Sequence, residues 1–198
     1  MVTDMSAPAH RPSQRAAVLE AALGLLRDDG ALSLDSAARA AGVSKPGLMY
    51  HFPTKEALVT ALVDHVVDRY ERELAGLLGV GDDATTGPTG TSTGTSTGHE
   101  RLAAYVRWSV THEHDPADLV MLADPRLRHR MAARWADRLE AWVGVPSDLD
   151  PAYRARCHAA RLLADGCWFA DASGILPVPP ADRAALLTTA LGLLGEEA

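Results

Sequence analysis

Apolar residues recur at helical spacing along most of this chain, and one long polar stretch interrupts them. Val18, Leu19, Ala22, Leu25 and Leu26 predict a helix from Pro12 or Ser13 to about Asp29, with Gly30 as its stop. Leu34, Ala37, Ala38 and Ala41 fall at i, i+3, i+4 and i+7 and predict a second helix, capped by Ser33. Gly42 supplies a tight turn, and Ser44 caps a third helix over Lys45–His51, where Pro46 is tolerated in the first turn. Pro53 stops that helix. Thr54 caps a long one to Leu78, striped by Leu58, Ala61, Leu62, Val66, Tyr70, Leu74, Leu77 and Leu78.

Residues 80–98 lose this periodicity in a run of Gly, Asp, Thr and Ser, which predicts a flexible linker. Beyond it the pattern predicts helices near 99–113, 117–123, 125–143, 150–173 and 180–195, separated by Pro116, Pro125, Pro146 and the segment 174–180. No stretch alternates as a strand would, so the expected fold is all-α. The expected division is residues 1–55 as one domain, with its core in 12–55, and 56–198 as a second helical domain.

Composition supports helices: 47% of residues are apolar, chiefly Ala and Leu, which lose little freedom in a helix. The 198 residues suffice for one large or two small buried cores. Cys157 and Cys167 match no metal or redox spacing and read as reduced, buried thiols. No apolar run reaches membrane-spanning length, and residues 1–11 lack the hydrophobic centre of a signal peptide. A soluble, cytoplasmic protein is expected. The net charge of −7 is unusual for a nucleic-acid binder, but it is unevenly spread. Residues 1–60 carry six basic and six acidic groups, leaving 13 basic and 20 acidic in residues 61–198. Local clustering, rather than the total, decides phosphate contact.

Two short helices about a glycine turn form a helix-turn-helix, whose second helix enters the major groove. Leu48, Phe52 and Val43 face inward on this pattern, leaving Lys45, Pro46, Gly47, Met49, Tyr50 and His51 on or near the exposed side. Ser44, Tyr50, His51 and Lys55 suit phosphate oxygens, aided by the dipole of the helix that Thr54 caps. Base reading then falls to Lys45, Gly47 and Met49, with apolar contact from Pro46.

Residues 12–60 resemble the TetR family of bacterial transcriptional repressors. The likeness runs through Leu19-Glu20-Ala21-Ala22, Gly30, Ala41-Gly42-Val43-Ser44, Tyr50-His51-Phe52 and Lys55-Glu56-Ala57-Leu58. Met49 stands where the family usually has an aromatic residue, and Ala37 where it has a larger apolar one. The resemblance implies a three-helix DNA-binding domain, a larger ligand-binding domain, and a homodimer formed through helices 150–173 and 180–195. It also implies DNA contacts at Ser44, Lys45, Tyr50, His51 and Lys55. The expected function is a DNA-binding regulator, a repressor released from a near-palindromic operator by a small molecule. The alternative is a helical ligand-binding protein or enzyme without DNA contact.

Other signals carry less. Residues 90–94 and 94–98 both fit G-x-S-x-G, but no strand precedes them, so chance in a Thr/Ser/Gly repeat explains the match. His112-Glu113-His114-Asp115 holds four potential ligands at a spacing that a helix cannot converge, and reads as a polar helix end. No enzyme constellation, metal site or cofactor is expected. Trp135 and Trp142 share a face and read as core or dimer contacts, whereas Trp108, Asp165, Trp168 and Phe169 are the candidate pocket residues. Trp, Leu and Met point to a mostly apolar effector, and the acidic excess to a cationic one.

Overall fold

The computed structural model describes residues 13–28, 30–79 and 97–195, and every regular element among them is helical. The α-helices are α1 (Gln14–Arg27), α2 (Leu34–Ala40), α3 (Lys45–His51), α4 (Lys55–Leu77), α5 (Gly98–Thr111), α6 (Arg128–Val143), α7 (Pro151–Ser173) and α8 (Pro180–Leu194). A 3-10 helix, Pro116–Leu122, lies between α5 and α6.

Short-range chemistry sets the first four helices. The Ser13 hydroxyl accepts from the Ala16 amide, Ser33 and Ser36 cap each other reciprocally, and Ser44 accepts from Gly47. Thr54 accepts from Ala57 to start α4. Each such cap is worth about 1 kcal/mol. Gly42 turns the chain at φ +65°, a conformation that glycine adopts without steric cost. α1 packs on α2 and α4, and α2 on α3, burying Leu19, Leu23, Leu48, Phe52 and Leu58.

α4 continues from this cluster into the remaining helices. α5, α7 and α8 pack together, while α6 lies across α4 and α5. Most buried apolar residues among those described form one contiguous cluster, to which α4 contributes from Leu58 to Leu74. Along the α4–α6 seam, Arg130 meets Glu56 at 2.5 Å, Arg134 takes both oxygens of Asp64 at 2.5 and 2.8 Å, and Arg138 reaches Asp68 and Glu71 at 2.7 and 2.6 Å. These half-exposed pairs fix the register of two helices more than they add stability, each being worth up to about 1 kcal/mol.

Several expectations shift. In α1 Leu23 joins Val18, Leu19 and Ala22 as a buried residue, while Leu25 and Leu26 are half-buried; the helix ends at Arg27 with Asp28 as its cap, and Asp29 lies outside the described residues. Leu77 is 54% exposed, since the apolar stripe of α4 runs out of neighbours after Leu74. The linker ends earlier than expected: Thr97 and Glu100 form a capping box, and Gly98 is already helical. Residues 80–96, with the first G-x-S-x-G match and most of the second, lie outside the described residues. Segment 117–123 is a 3-10 helix with a non-helical Leu119, and the helix expected from residue 125 starts at Arg128, after a turn that Asp124 bonds to the Arg126 amide. Cys157 and Cys167 are both buried and unpaired.

Candidate nucleic-acid interface and cavity

α3 presents one face to solvent because its other face is consumed by Leu48 and the Phe52 cap. Tyr50 is 85% exposed and Met49 40% exposed, with Lys45 and Pro46 beside them on the outer side. Gly47 is half-buried, and a Cβ there would stand 3.1 Å from the Ser44 hydroxyl. Its small size therefore serves the cap as well as the surface. His51 is half-buried between the rings of Tyr50 and Phe52, at 5.2 and 6.3 Å.

Two lysines of this face are held by carboxylates. Lys45 Nζ lies 3.0 Å from Asp35 of α2, and Lys55 Nζ lies 2.7 Å from Asp124, on the turn before α6. The Lys55 ammonium and the Arg126 amide hold the Asp124 carboxyl below its ordinary range. Ser44, Lys45, Pro46, Gly47, Met49, Tyr50, His51 and Lys55 thus fall on α3, its N-cap and the first residue of α4. Arg15 joins them: its guanidinium sits 5.2 Å above the Phe52 ring, although 37 residues separate the two in sequence, a contact that helical periodicity does not reveal.

A cavity of about 390 Å³ opens among α4, α5, α6 and α7. Tyr70, Tyr105, Trp135, Trp168 and Phe169 supply aromatic walls, Leu139 and Val143 aliphatic ones, and Arg161 and Asp165 the charged edge. Asp165, Trp168 and Phe169 line the cavity. Trp108 does not. It is almost fully buried behind the wall, where its indole N–H donates to Glu73 at 2.7 Å and its ring packs on Tyr70 at 4.3 Å. Its position on α5 is one that faces α4, which sequence spacing does not show. Trp135, read as a core residue, takes its place in the lining, and Trp142 packs partly against the core.

Tyr70 connects this cavity to the first three helices. Its hydroxyl accepts from the Trp168 indole at 2.9 Å and donates toward Asp118. Burial, reinforced by the Asp118 charge, raises its pKa well above that of free tyrosine, so it stays neutral. Asp118 also binds Arg69 and accepts from the Asp115 amide at 3.0 Å. The Asp115 carboxylate in turn accepts from Arg27 of α1 at 2.7 Å. Burial pushes the Asp118 carboxyl up, but bonds from His114 and the Asp115 amide and the charge of Arg69 outweigh it and hold it below the usual carboxylate range. The expected polar helix end is seen at Thr111, with His112 as cap, but His114 turns inward and is buried. Among the described residues no group of three or more His, Cys, Asp or Glu is placed to hold a metal ion, and no helix is long and apolar enough to cross a membrane.

The comparisons with known proteins agree with this geometry. Residues 18–62 match the family model for bacterial regulatory proteins of the tetR family, and residues 99–195 match that for the tetracyclin repressor-like C-terminal domain. The HTH-type transcriptional regulator EthR of Mycobacterium tuberculosis (strain ATCC 25618 / H37Rv) is 38% identical over 69 residues. The matched stretch is 32% of each chain, so this chain spans about a third of that curated relative. The crystal structure of the multidrug binding protein EbrR complexed with malachite green is similar at TM-score 0.59 and 20% identity, over 92% of this chain and 98% of that one. A TetR-family member from Streptomyces coelicolor A3 reaches 0.58 at 21% identity over 92% and 98%. Mycobacterium smegmatis AmtR reaches 0.52 at 21% identity over 96% and 90%. Identities this low speak to fold.

Proposed function

The chain belongs to the TetR family of bacterial transcriptional regulators, and we propose from that membership that it is a homodimeric, cytoplasmic repressor released from its operator by a small molecule. Residues 1–55 are the DNA-binding domain in this reading and 56–198 the ligand-binding and dimerisation domain. Ser44, Tyr50, His51 and Lys55 meet phosphates, while Lys45, Gly47 and Met49, with Pro46 alongside, meet base edges. The dimer forms through α7 and α8, whose outer surface exposes Leu162. Two recognition helices then address successive major grooves about 34 Å or a multiple apart.

One observation carries the reading. α4 is a single helix that begins at Lys55, beside α3, and forms a cavity wall at Tyr70, about 22 Å further on at 1.5 Å per residue. A molecule filling the cavity touches the same rigid body that sets the position of α3. The bonds from Trp168 through Tyr70, Asp118 and Asp115 to Arg27 give that coupling a second physical route. Effector and operator then oppose each other reciprocally, by the same factor in each direction. The EbrR complex with malachite green supports a ligand role for the corresponding fold.

Fluorescence anisotropy with DNA from upstream of the chain's own coding sequence tests this. The expected result is salt-sensitive, sequence-selective binding by a dimer. Binding that is absent, or equal on unrelated DNA, would overturn it.

A further inference from the structure

We propose that the cavity takes a planar aromatic of two or three rings whose polar end is an oxygen acceptor, a carboxylate above all, rather than a cation. The inference rests on the reading of this cavity as the effector site, and it runs against the cationic effector that the acidic composition favours.

The shape follows from the walls. Trp135 and Trp168 stand 5.7 Å apart at 37°, and Tyr70 meets Trp135 edge-on at 5.3 Å and 83°. The Trp168 N–H is committed to Tyr70, so that indole offers the ligand its face. A volume of about 390 Å³ lies at the small end of ligand pockets. The rings of Tyr70, Trp135 and Trp168 pack directly on one another into one aromatic wall, and a flat ring lies against it in offset or edge-to-face contact.

The polar preference follows from counting donors and acceptors at the charged edge. Asp165 is already engaged on both oxygens: one accepts from the Tyr105 hydroxyl at 2.8 Å, the other from Arg161 at 2.6 Å. An incoming cation would meet a carboxylate whose charge Arg161 already neutralises, and would stand beside that guanidinium. The Tyr105 proton is spent on Asp165, and the Tyr70 hydroxyl is spent on Asp118 and Trp168. Arg161 differs. A guanidinium has five N–H donors in a planar fork, and among the described residues Asp165 is its hydrogen-bond partner. The larger capacity left over at this edge is therefore donor capacity, carried by the Arg161 guanidinium. A ligand oxygen satisfies it, and a carboxylate does so with a charge-assisted bond. Attraction of a cation to the aromatic faces pulls the other way, but like-charge repulsion from Arg161 opposes it at this end.

Isothermal titration calorimetry of the full chain with 2-naphthoate and with 2-naphthylmethylammonium, which share a ring system, tests the choice. Naphthoate is expected to bind at least about tenfold more tightly. Arg161→Gln should bring the two probes to within about threefold of each other, and Ala136→Trp, an exposed position on the cavity rim, should weaken both. Circular dichroism checks that the variants fold, and Arg161→Lys, which keeps the charge but loses the fork, should fall between wild type and Arg161→Gln. Equal or tighter binding of the ammonium probe to wild type, an unchanged order in Arg161→Gln, or no binding of either probe at millimolar concentration would each overturn the proposal. Anisotropy with upstream DNA, run on the same preparations, keeps the regulator reading separate: selective DNA binding with the wrong probe order sinks the ligand class alone.

Discussion

The exposed face of α3 and the cavity behind α4 are built in opposite ways. The face is made almost entirely from one continuous segment, residues 44–55, whose caps and turn lie within a few residues of the groups they position. The cavity is closed by side chains from Tyr70 to Phe169, drawn from four helices, so its enclosure depends on residues far apart in sequence. A surface assembled locally tolerates change in the rest of the chain. A cavity assembled at long range changes whenever any of its helices shifts, and that sensitivity is what a ligand-responsive element requires.

The largest expected effect tests whether the α3 face is as self-contained as its caps imply. Leu48 is fully buried beneath it, so Leu48→Ala should cost about 2–5 kcal/mol in urea denaturation and abolish DNA binding. Loss of stability without loss of DNA binding would break the contrast. On the cavity side, Asp118→Asn strips Arg69 of its charge partner in a nearly buried site and should cost about 2 kcal/mol. The sign in pH follows from the lowered pKa of Asp118. Its contribution is complete above the unfolded carboxylate value of about 3.9 and is lost as pH falls through the lower folded value. Acid titration of the wild type should therefore show a loss below about pH 4 that the Asn variant lacks.

A smaller change sharpens the assignment of roles within the face. Lys45→Ala should relax preference at particular bases by about 1–3 kcal/mol, read by competition between operator variants. Ser44→Ala removes a cap and should cost about 1 kcal/mol of stability. The smallest effect belongs to Lys55. Lys55→Ala should weaken all sequences alike and reduce the salt slope by about one contact, whereas Asp124→Asn, which frees that lysine, should strengthen binding. Identical salt slopes in wild type and both variants would remove Lys55 from the contact set.

How much of this was legible in the sequence follows the same division. Ser33, Ser44 and Thr54 act over three residues, and the capping pattern that names them is local, so the first four helices could be read closely. Helical spacing shows that Trp108, Trp135 and Trp168 lie on buried stripes, but not which neighbouring helix each stripe meets. That is why Trp108 and Trp135 exchanged places between core and cavity. Tyr70 reads only as part of the apolar stripe of α4, because its partner Trp168 lies 98 residues away, and the i,i+4 spacing of Arg161 and Asp165 does not show that the pair borders a cavity. The 3-10 helix Pro116–Leu122 was read as an ordinary helix because apolar spacing over one or two turns does not separate the two.

The two cysteines of α7 have a use that neither surface has. Both thiols are shielded inside the folded chain, and burial raises the pKa of Cys167 above its ordinary value, which leaves less thiolate and slows its attack on disulfide reagents further. Reaction must then wait for α7 to open. The rate of thiol labelling measures how often that happens, without a fluorophore or an added residue. Since α7 carries both the charged edge of the cavity and the surface facing a second subunit in the proposed dimer, a ligand that tightens the cavity should slow this native chemical clock.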